Sequence, residues 1–213
     1  MSKIFILILS TFLIVSCSIA TAPSNTSTSS WAVDTSKMID APMYGSGKHT
    51  IEYFGDFQCP ACIRFSHTFL PILEEFAWSG KLVIIYKQFP LTSIHKNAYR
   101  DSIAALCSAE QGKYMSYKKL LIALEESKTA SRWTVSDTER IDATKDMGID
   151  IEKFTQCLKE DRYKSSVDRD MKDGDDKRVN ATPTLILDGT KLDLSIFRDE
   201  NMFRDQISRL LAQ

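Results

Sequence analysis

The chain has 213 residues, with 27 basic and 28 acidic side chains, a formal net charge of −1, five cysteines and three histidines. That length suits one domain, or one domain carrying a large insertion. A near-neutral chain with no block of basic residues argues against nucleic acid or an anionic surface as partner.

The first segment reads as an export signal. Met1-Ser2-Lys3 gives a short positive start, and Ile4 to Val15 is apolar apart from Ser10 and Thr11. Such a run is right for a secretory signal and too short to span a bilayer as a mature helix. Residues 1–16 are therefore expected to be a signal peptide. Ile14-Val15-Ser16-Cys17 resembles a bacterial lipobox, so Cys17 is the expected lipidation site. Two other readings stand beside it: cleavage at Ala20-Thr21-Ala22, and a Cys17 discarded with the signal. All of them export the chain to a disulfide-permissive compartment, the periplasm or cell envelope. Residues 17–40 are expected to be a tether and linker, rich in Ser, Thr, Ala, Asn and Pro up to about residue 30. The folded domain is placed at residues 41–213.

A core strand is expected from near His49 through Ile51-Glu52-Tyr53-Phe54-Gly55-Asp56-Phe57, after a mixed lead-in over residues 31–48. Cys59-Pro60-Ala61-Cys62 follows at once. Phe65, Phe69, Ile72, Leu73 and Phe76 then recur at helical spacing, with Pro71 expected to kink the helix and Ser79-Gly80 to end it. Leu82-Val83-Ile84-Ile85-Tyr86 is a buried-type strand closing at Phe89-Pro90.

From about residue 93 to 178 no strand signal is present. Ile94 to Glu126 reads as one long or broken helical stretch, with Gly112 the interruption. Ser136-Asp137-Thr138-Glu139 is a capping box opening a helix expected to stop at Gly148. Asp150 can cap the next helix, and another runs from about Tyr163. Strands resume at Thr184-Leu185-Ile186-Leu187, turn at Asp188-Gly189 and return through Lys191-Leu192-Asp193-Leu194. Phe203, Ile207, Leu210 and Leu211 mark a last helix. Strands at both ends bracketing helices describe an α/β core with a helical insertion.

A strand–CxxC–helix unit is how a disulfide-exchanging pair is built. The first thiol lands at a helix N-terminus, where free N–H groups and the helix dipole stabilise a thiolate. The second lies a turn further on, within reach of a short disulfide ring. Zinc ribbons share the spacing but need a second ligand pair, and the chain has no other CxxC. With Cys17 set aside, four cysteines permit three pairings. If Cys59 and Cys62 are the redox pair, Cys107 and Cys157 remain for a structural disulfide, the alternative being two separate buried thiols. Thr182-Pro183 enters the strand region at Thr184. It is either an ordinary trans proline or, beside a CxxC, a cis proline whose loop presents the Thr182 backbone to an extended peptide. His67 and His95 are read as packing or surface residues, and the charges in residues 159–178 as a solvated face.

Phe57-Gln58-Cys59-Pro60-Ala61-Cys62, Phe69-Leu70-Pro71, Gln88-Phe89-Pro90-Leu91, Glu110-Gln111-Gly112-Lys113 and Ala181-Thr182-Pro183-Thr184 together resemble the DsbA-type thioredoxin family, over about residue 40 to the C-terminus. The resemblance implies a thioredoxin fold, with a helical insertion over about residues 93–178 between an N-terminal βαβ part and a C-terminal ββα part. It implies thiol–disulfide oxidoreductase activity in the bacterial envelope, on exported proteins with free thiols, and reoxidation by a DsbB-like membrane quinone reductase. Carried over, Cys59 is the exposed nucleophile, Cys62 the buried resolving thiol, Pro60 and Ala61 the redox dipeptide, and Thr182-Pro183 the cis-proline loop. No cofactor and no metal is expected.

Two departures from the family pattern stand out. Many relatives place a buried acidic residue six positions before the first cysteine; here that position is Tyr53 and the acid is Glu52, which a one-residue slip turns to the opposite face unless a bulge restores it. Strong oxidants of the family carry histidine where this chain has Ala61, and alanine donates no hydrogen bond to a Cys59 thiolate, so weaker oxidising power is expected. Oxidase is the favoured direction, because isomerases of this kind add a dimerisation domain and residues 18–48 are too short and polar for one. A reductase or isomerase on the same fold is the alternative. A redox-inert lipoprotein or holdase is the different-class alternative, and it leaves the CxxC and proline loop without a purpose.

Overall fold

The computed structural model describes residues 41–129, 135–196 and 199–213. The expected signal peptide, the lipidation site Cys17 and the tether over 17–40 lie outside the described residues. Five strands form one sheet in the order β1-β3-β2-β4-β5, and eight α-helices surround it among the described residues.

β2 (His49–Gly55) is the central strand; it runs parallel to β3 (Leu82–Gln88) and antiparallel to β4 (Thr184–Leu187). The side chains of β2 alternate between two apolar layers. Ile51 and Tyr53 enter the larger core with Leu82, Ile84, Tyr86, Leu185 and Leu187, whereas Phe54 joins Phe89, Val179 and Ile186 in a smaller cluster. The β2–β3 register is continuous through Glu52 opposite Ile85 and Tyr53 opposite Tyr86, with no bulge.

β1 (Met43–Ser46) pairs antiparallel with β3 and falls within the stretch read from sequence as a lead-in. Four residues containing a glycine carry no alternation to detect. Gly45 is needed there, since it holds φ +93° and a Cβ would lie 2.5 Å from Ala77 Cβ.

The apolar helical pattern after the CxxC is two helices, α1 (Pro60–Thr68) and α2 (Leu70–Trp78), broken at Phe69. Pro71 is the cause: in a continuous helix its ring would clash with the carbonyl of residue 67 and leave that carbonyl without a donor. In the first turn of α2 it costs nothing, because N–H groups there have no intrahelical partner. Gly80, at φ +75°, closes α2, with Lys81 N–H donating to the Phe76 carbonyl at 3.1 Å.

Five helices lie between β3 and β4: α3 (Ala98–Ala109), α4 (Tyr114–Thr129), α5 (Asp137–Asp142), α6 (Ile151–Lys159) and α7 (Lys164–Asp176). Small residues along α3, Ala98, Ala104, Ala105 and Ala109 among them, are buried and give the helices around it a close approach. On α7, Gly174 does the same: a Cβ there would lie 2.4 Å from the Phe89 ring.

Four expected boundaries differ. The core strand expected through Phe57 ends at Gly55, where the turn to Cys59 begins. The helix expected from Ile94 begins at Ala98, because residues 91–97 are held as a loop on the turn preceding Cys59, as described below. The helix opened by the Ser136–Glu139 capping box ends at Asp142 rather than Gly148. There the Thr144 hydroxyl donates to the Ile141 carbonyl at 2.7 Å and diverts it from the helix ladder. The returning strand is only β5 (Thr190–Lys191), followed by a 3₁₀ turn over Leu194–Ile196. Asp193 ends it, accepting from Ser195 N–H at 2.9 Å and Ser195 Oγ at 2.6 Å.

α8 (Glu200–Leu210) opens on Asp199, whose carboxylate accepts from Met202 N–H at 2.9 Å. It buries Phe203 and Ile207, each worth roughly 1.5–3 kcal/mol. Phe203 packs on Phe65 and Phe69, so the last helix braces the one that starts at the CxxC.

Candidate active site

β2 ends at Gly55, and the turn Asp56-Phe57-Gln58 delivers Cys59 to the N-cap of α1 in an extended conformation. Pro60 is the first helical residue, where its missing N–H is no loss. Cys59 and Cys62 are both free thiols, 7% and 3% exposed; the first sulfur, expected to be exposed, is buried as well, because it seats on the Thr182 carbonyl. Ala61 lies between them, partly exposed and without a polar group.

Facing this turn is the Thr182–Pro183 peptide, which is cis and leads into β4. As a thiol, Cys59 donates to the Thr182 carbonyl at 3.3 Å. As a thiolate it is stabilised above all by the Cys62 thiol, then by the neighbouring Thr182 side chain, whose hydroxyl has no other partner, and by the N–H groups of Cys62 and Ala61. These donors outweigh partial burial and bring the Cys59 pKa down from 9.0 to about 5. Burial drives Cys62 the other way, well above the ordinary thiol range, and its bond to Cys59 adds to the rise. One turn of helix thus separates a thiolate-forming sulfur from a proton-retaining one.

Tyr53 occupies the position beneath the pair. It is buried and lines the same small pocket as Cys62 and Ser66, and burial together with the neighbouring Cys62 holds its pKa well above the ordinary phenol value. Glu52 points to the opposite face and pairs with Lys177 at 2.6 Å. Gly55 is what admits the tyrosine: a Cβ there would lie 2.5 Å from Tyr53 Cε1 and 3.0 Å from its hydroxyl oxygen.

Asp56 ties the turn to its surroundings. Its fully buried carboxylate accepts from Gln58 N–H at 2.7 Å, from Leu91 N–H at 2.8 Å and from His95 Nδ1 at 2.7 Å. Its backbone carbonyl accepts from Cys59 N–H at 3.2 Å, and its own N–H donates to Cys62 Sγ at 3.5 Å. Gln58 extends the brace, donating to Glu125 at 3.0 Å and accepting from Asn97 N–H at 2.8 Å. Sequence reasoning passed over Asp56 and set His95 aside. The signal was there in an aspartate three residues before the first cysteine, but nothing in the sequence pairs it with a histidine 39 residues on. His67 is exposed and pairs with Glu126 at 3.2 Å.

Cys107 of α3 and Cys157 of α6 are bonded to each other, with Cα atoms 5.9 Å apart and both residues fully buried. Among the described residues no group of three or more His, Cys, Asp or Glu side chains could hold a metal ion.

A CxxC turn at a helix N-terminus, faced by a cis-proline loop on a sheet of order β1-β3-β2-β4-β5, defines the thioredoxin class of fold. The family model described as thioredoxin matches residues 41–211, and the chain belongs to that family. Among solved structures it is similar to oxidised BdbD of Bacillus subtilis (20% identity, TM-score 0.64, 82% of this chain and 94% of that one). It is also similar to MdbA of Actinomyces oris, a thiol-disulfide oxidoreductase (13% identity, TM-score 0.66, 82% and 88%). Among curated proteins it is 29% identical over 154 residues to the Na(+)/H(+) antiporter NhaA 1 of Mycolicibacterium gilvum, covering 71% of this chain and 22% of that protein. It is 26% identical over 137 residues to the probable disulfide bond formation protein D of Bacillus anthracis, covering 64% and 63%. The chain thus spans about a fifth of the antiporter's length and under two thirds of the second relative's.

Proposed function

We propose that this protein is an envelope thiol–disulfide oxidoreductase that introduces disulfides into exported proteins through Cys59 and Cys62. One observation carries the reading: Cys59 caps the N-terminus of α1, 3.3 Å from the Thr182 carbonyl of the cis-proline loop, with free Cys62 buried one turn on, a placement that draws the Cys59 pKa down to about 5 and pushes Cys62 up. A substrate thiolate attacks Cys59 Sγ of the disulfide form, a mixed disulfide forms, and Cys62 leaves. A second substrate thiol then attacks the substrate sulfur of that mixed disulfide and expels Cys59, which departs readily because it is stable as a thiolate. The two electrons end on the Cys59–Cys62 dithiol, and a DsbB-like membrane quinone reductase is the reoxidant the family resemblance suggests. Thr182, beside Cys59, offers its backbone to an extended substrate segment.

Export and anchoring belong to the same proposal and rest on the Ile4–Val15 apolar run and Cys17. No helix among the described residues is long and apolar enough to cross a membrane. Growth of a metabolically labelled culture with a palmitate analogue tests the anchor: label on the wild type and none on Cys17→Ala is expected.

The direction of electron flow is tested by equilibrating the protein with glutathione buffers and counting alkylated thiols by mass. A Cys59 pKa of about 5 falls between the roughly 7 of thioredoxin and the roughly 3.5 of DsbA. The expected potential therefore falls between the about −270 mV of thioredoxin and the about −120 mV of DsbA, well clear of the thioredoxin end. A value near about −270 mV would establish a reductase instead.

A further inference from the structure

Cys62 is 3% exposed, so the proton it gains when the disulfide opens has to cross protein. Beside it is a pocket with room for a water molecule, lined by Tyr53, Cys62, Ser66, Tyr114 and Lys118 among others. Lys118 comes from α4 and is itself only 4% exposed. Its ammonium sits 2.9 Å from Glu74 Oε1 of α2 and 4.6 Å from the Tyr86 ring centroid, and the Tyr86 hydroxyl donates to the same Glu74 oxygen at 3.2 Å. The Glu74 side chain is 17% exposed and so reaches solvent.

The other ionisable groups around the pocket are committed elsewhere. Asp56 already takes Gln58 N–H, Leu91 N–H and His95. The Lys87 ammonium is held by Asp170 at 3.1 Å and Asp173 at 3.2 Å on α7. Tyr114 accepts from Gln88 Nε2 at 3.0 Å. Tyr53 lines the pocket beside Cys62 itself, but burial holds it well above its usual pKa, so it passes a proton on rather than storing one. Burial also lowers the Lys118 pKa, which brings its ammonium and amine forms closer in energy.

We propose that Lys118, seated on Glu74, is the proton-relay residue for Cys62, acting through the pocket and the Tyr53 hydroxyl. The proposal rests on the disulfide-exchange reading above. When a thiolate attacks Cys59 Sγ, a new S–S bond forms and the Cys59–Cys62 bond breaks, its electron pair leaving on Cys62. Tyr53 gives its hydroxyl proton to that sulfur and recovers one from the Lys118 ammonium; the amine is reprotonated from solvent on the Glu74 side. In reoxidation the proton runs back, and Cys62 attacks as a thiolate. The family's acid at the Tyr53 position is thus replaced by a lysine–glutamate pair reached through a phenol.

Stopped-flow reaction of the reduced protein with limiting chromogenic aryl disulfide separates the two sulfurs. Attack by Cys59 releases one aryl thiolate in a second-order phase, and attack by Cys62 on the mixed disulfide releases another in a first-order phase. Lys118→Met and Tyr53→Phe are expected to leave the first phase within about twofold and to slow the second by about tenfold or more at neutral pH. Lys118→Arg keeps the charge but does not release its proton, so it too is expected to be slow. A second phase unchanged in Lys118→Met, equal slowing of both phases, or wild-type behaviour of Lys118→Arg would overturn the relay. If Lys118→Met does not fold, Tyr53→Phe carries the test, since it deletes one oxygen and keeps the ring. A wild type that releases no second aryl thiolate would refute the exchange reading itself, a different failure.

Discussion

The molecule holds two cysteine pairs, and the contrast between them shows what position does to one side chain. Cys59 and Cys62 lie at the start of α1, where helix-start N–H groups and the nearby Thr182 side chain favour a sulfur anion. Cys107 lies near the end of α3 and Cys157 in the second half of α6, both fully buried, with no helix start to favour a thiolate. The first pair is set within a turn whose two sulfurs differ in acidity; the second is a cross-link between two helices of the insertion. Reactivity follows the helix terminus and the facing loop, not the presence of two thiols.

The largest effect expected from breaking this contrast is at Cys59. Cys59→Ser should abolish exchange with a model dithiol, whereas Cys62→Ser should accumulate mixed disulfides at Cys59, visible as adducts by mass. Next is the staple. Replacing Cys107 and Cys157 by alanine opens a loop of sequence separation 50 and should cost up to about 4 kcal/mol in the chain-entropy model, read by denaturant unfolding. Cys59 alkylation in that variant should keep the wild-type rate; a slower rate would mean the two pairs are coupled. Gly55→Ala should cost about 1–3 kcal/mol, because its Cβ strikes the Tyr53 ring, and should also displace that ring in the pocket it shares with Cys62. Smallest is Thr182→Val, which removes the polar hydroxyl nearest Cys59 and should raise its pKa modestly from about 5.

The pH dependence has a definite sign. The folded Cys59 pKa lies below the ordinary thiol value of 9.0, so its thiolate stabilises the reduced fold fully only above about 9. That contribution declines as pH falls and is gone below about 5. Reduced and oxidised forms compared by unfolding across this window should converge in stability towards acid; divergence in acid would contradict the assigned Cys59 shift.

The CxxC turn and the strands at either end were legible because each is a local signal: alternation along β2, a run of apolar residues in β3, two cysteines one helical turn apart. The capping box at Ser136 was legible for the same reason. β1 was not, since four residues with a glycine have no period. Nor were the supports of the site. Asp56 meets His95, Gln58 meets Glu125, and Lys118 meets Glu74 only after the insertion folds back on the sheet. Tyr53 was visible as a departure, but its placement beneath Cys62 depended on an unbroken β2–β3 register and on the absence of a side chain at Gly55.

One turn of α1 holds two thiols of opposed acidity. Alkylation of the reduced protein as a function of pH, with each cysteine resolved by peptide mass, tests it most directly. Cys59 should titrate with a midpoint of about 5 while Cys62 stays unmodified across the neutral range. A Cys59 midpoint near the ordinary 9.0, or two cysteines that titrate together, would contradict the account.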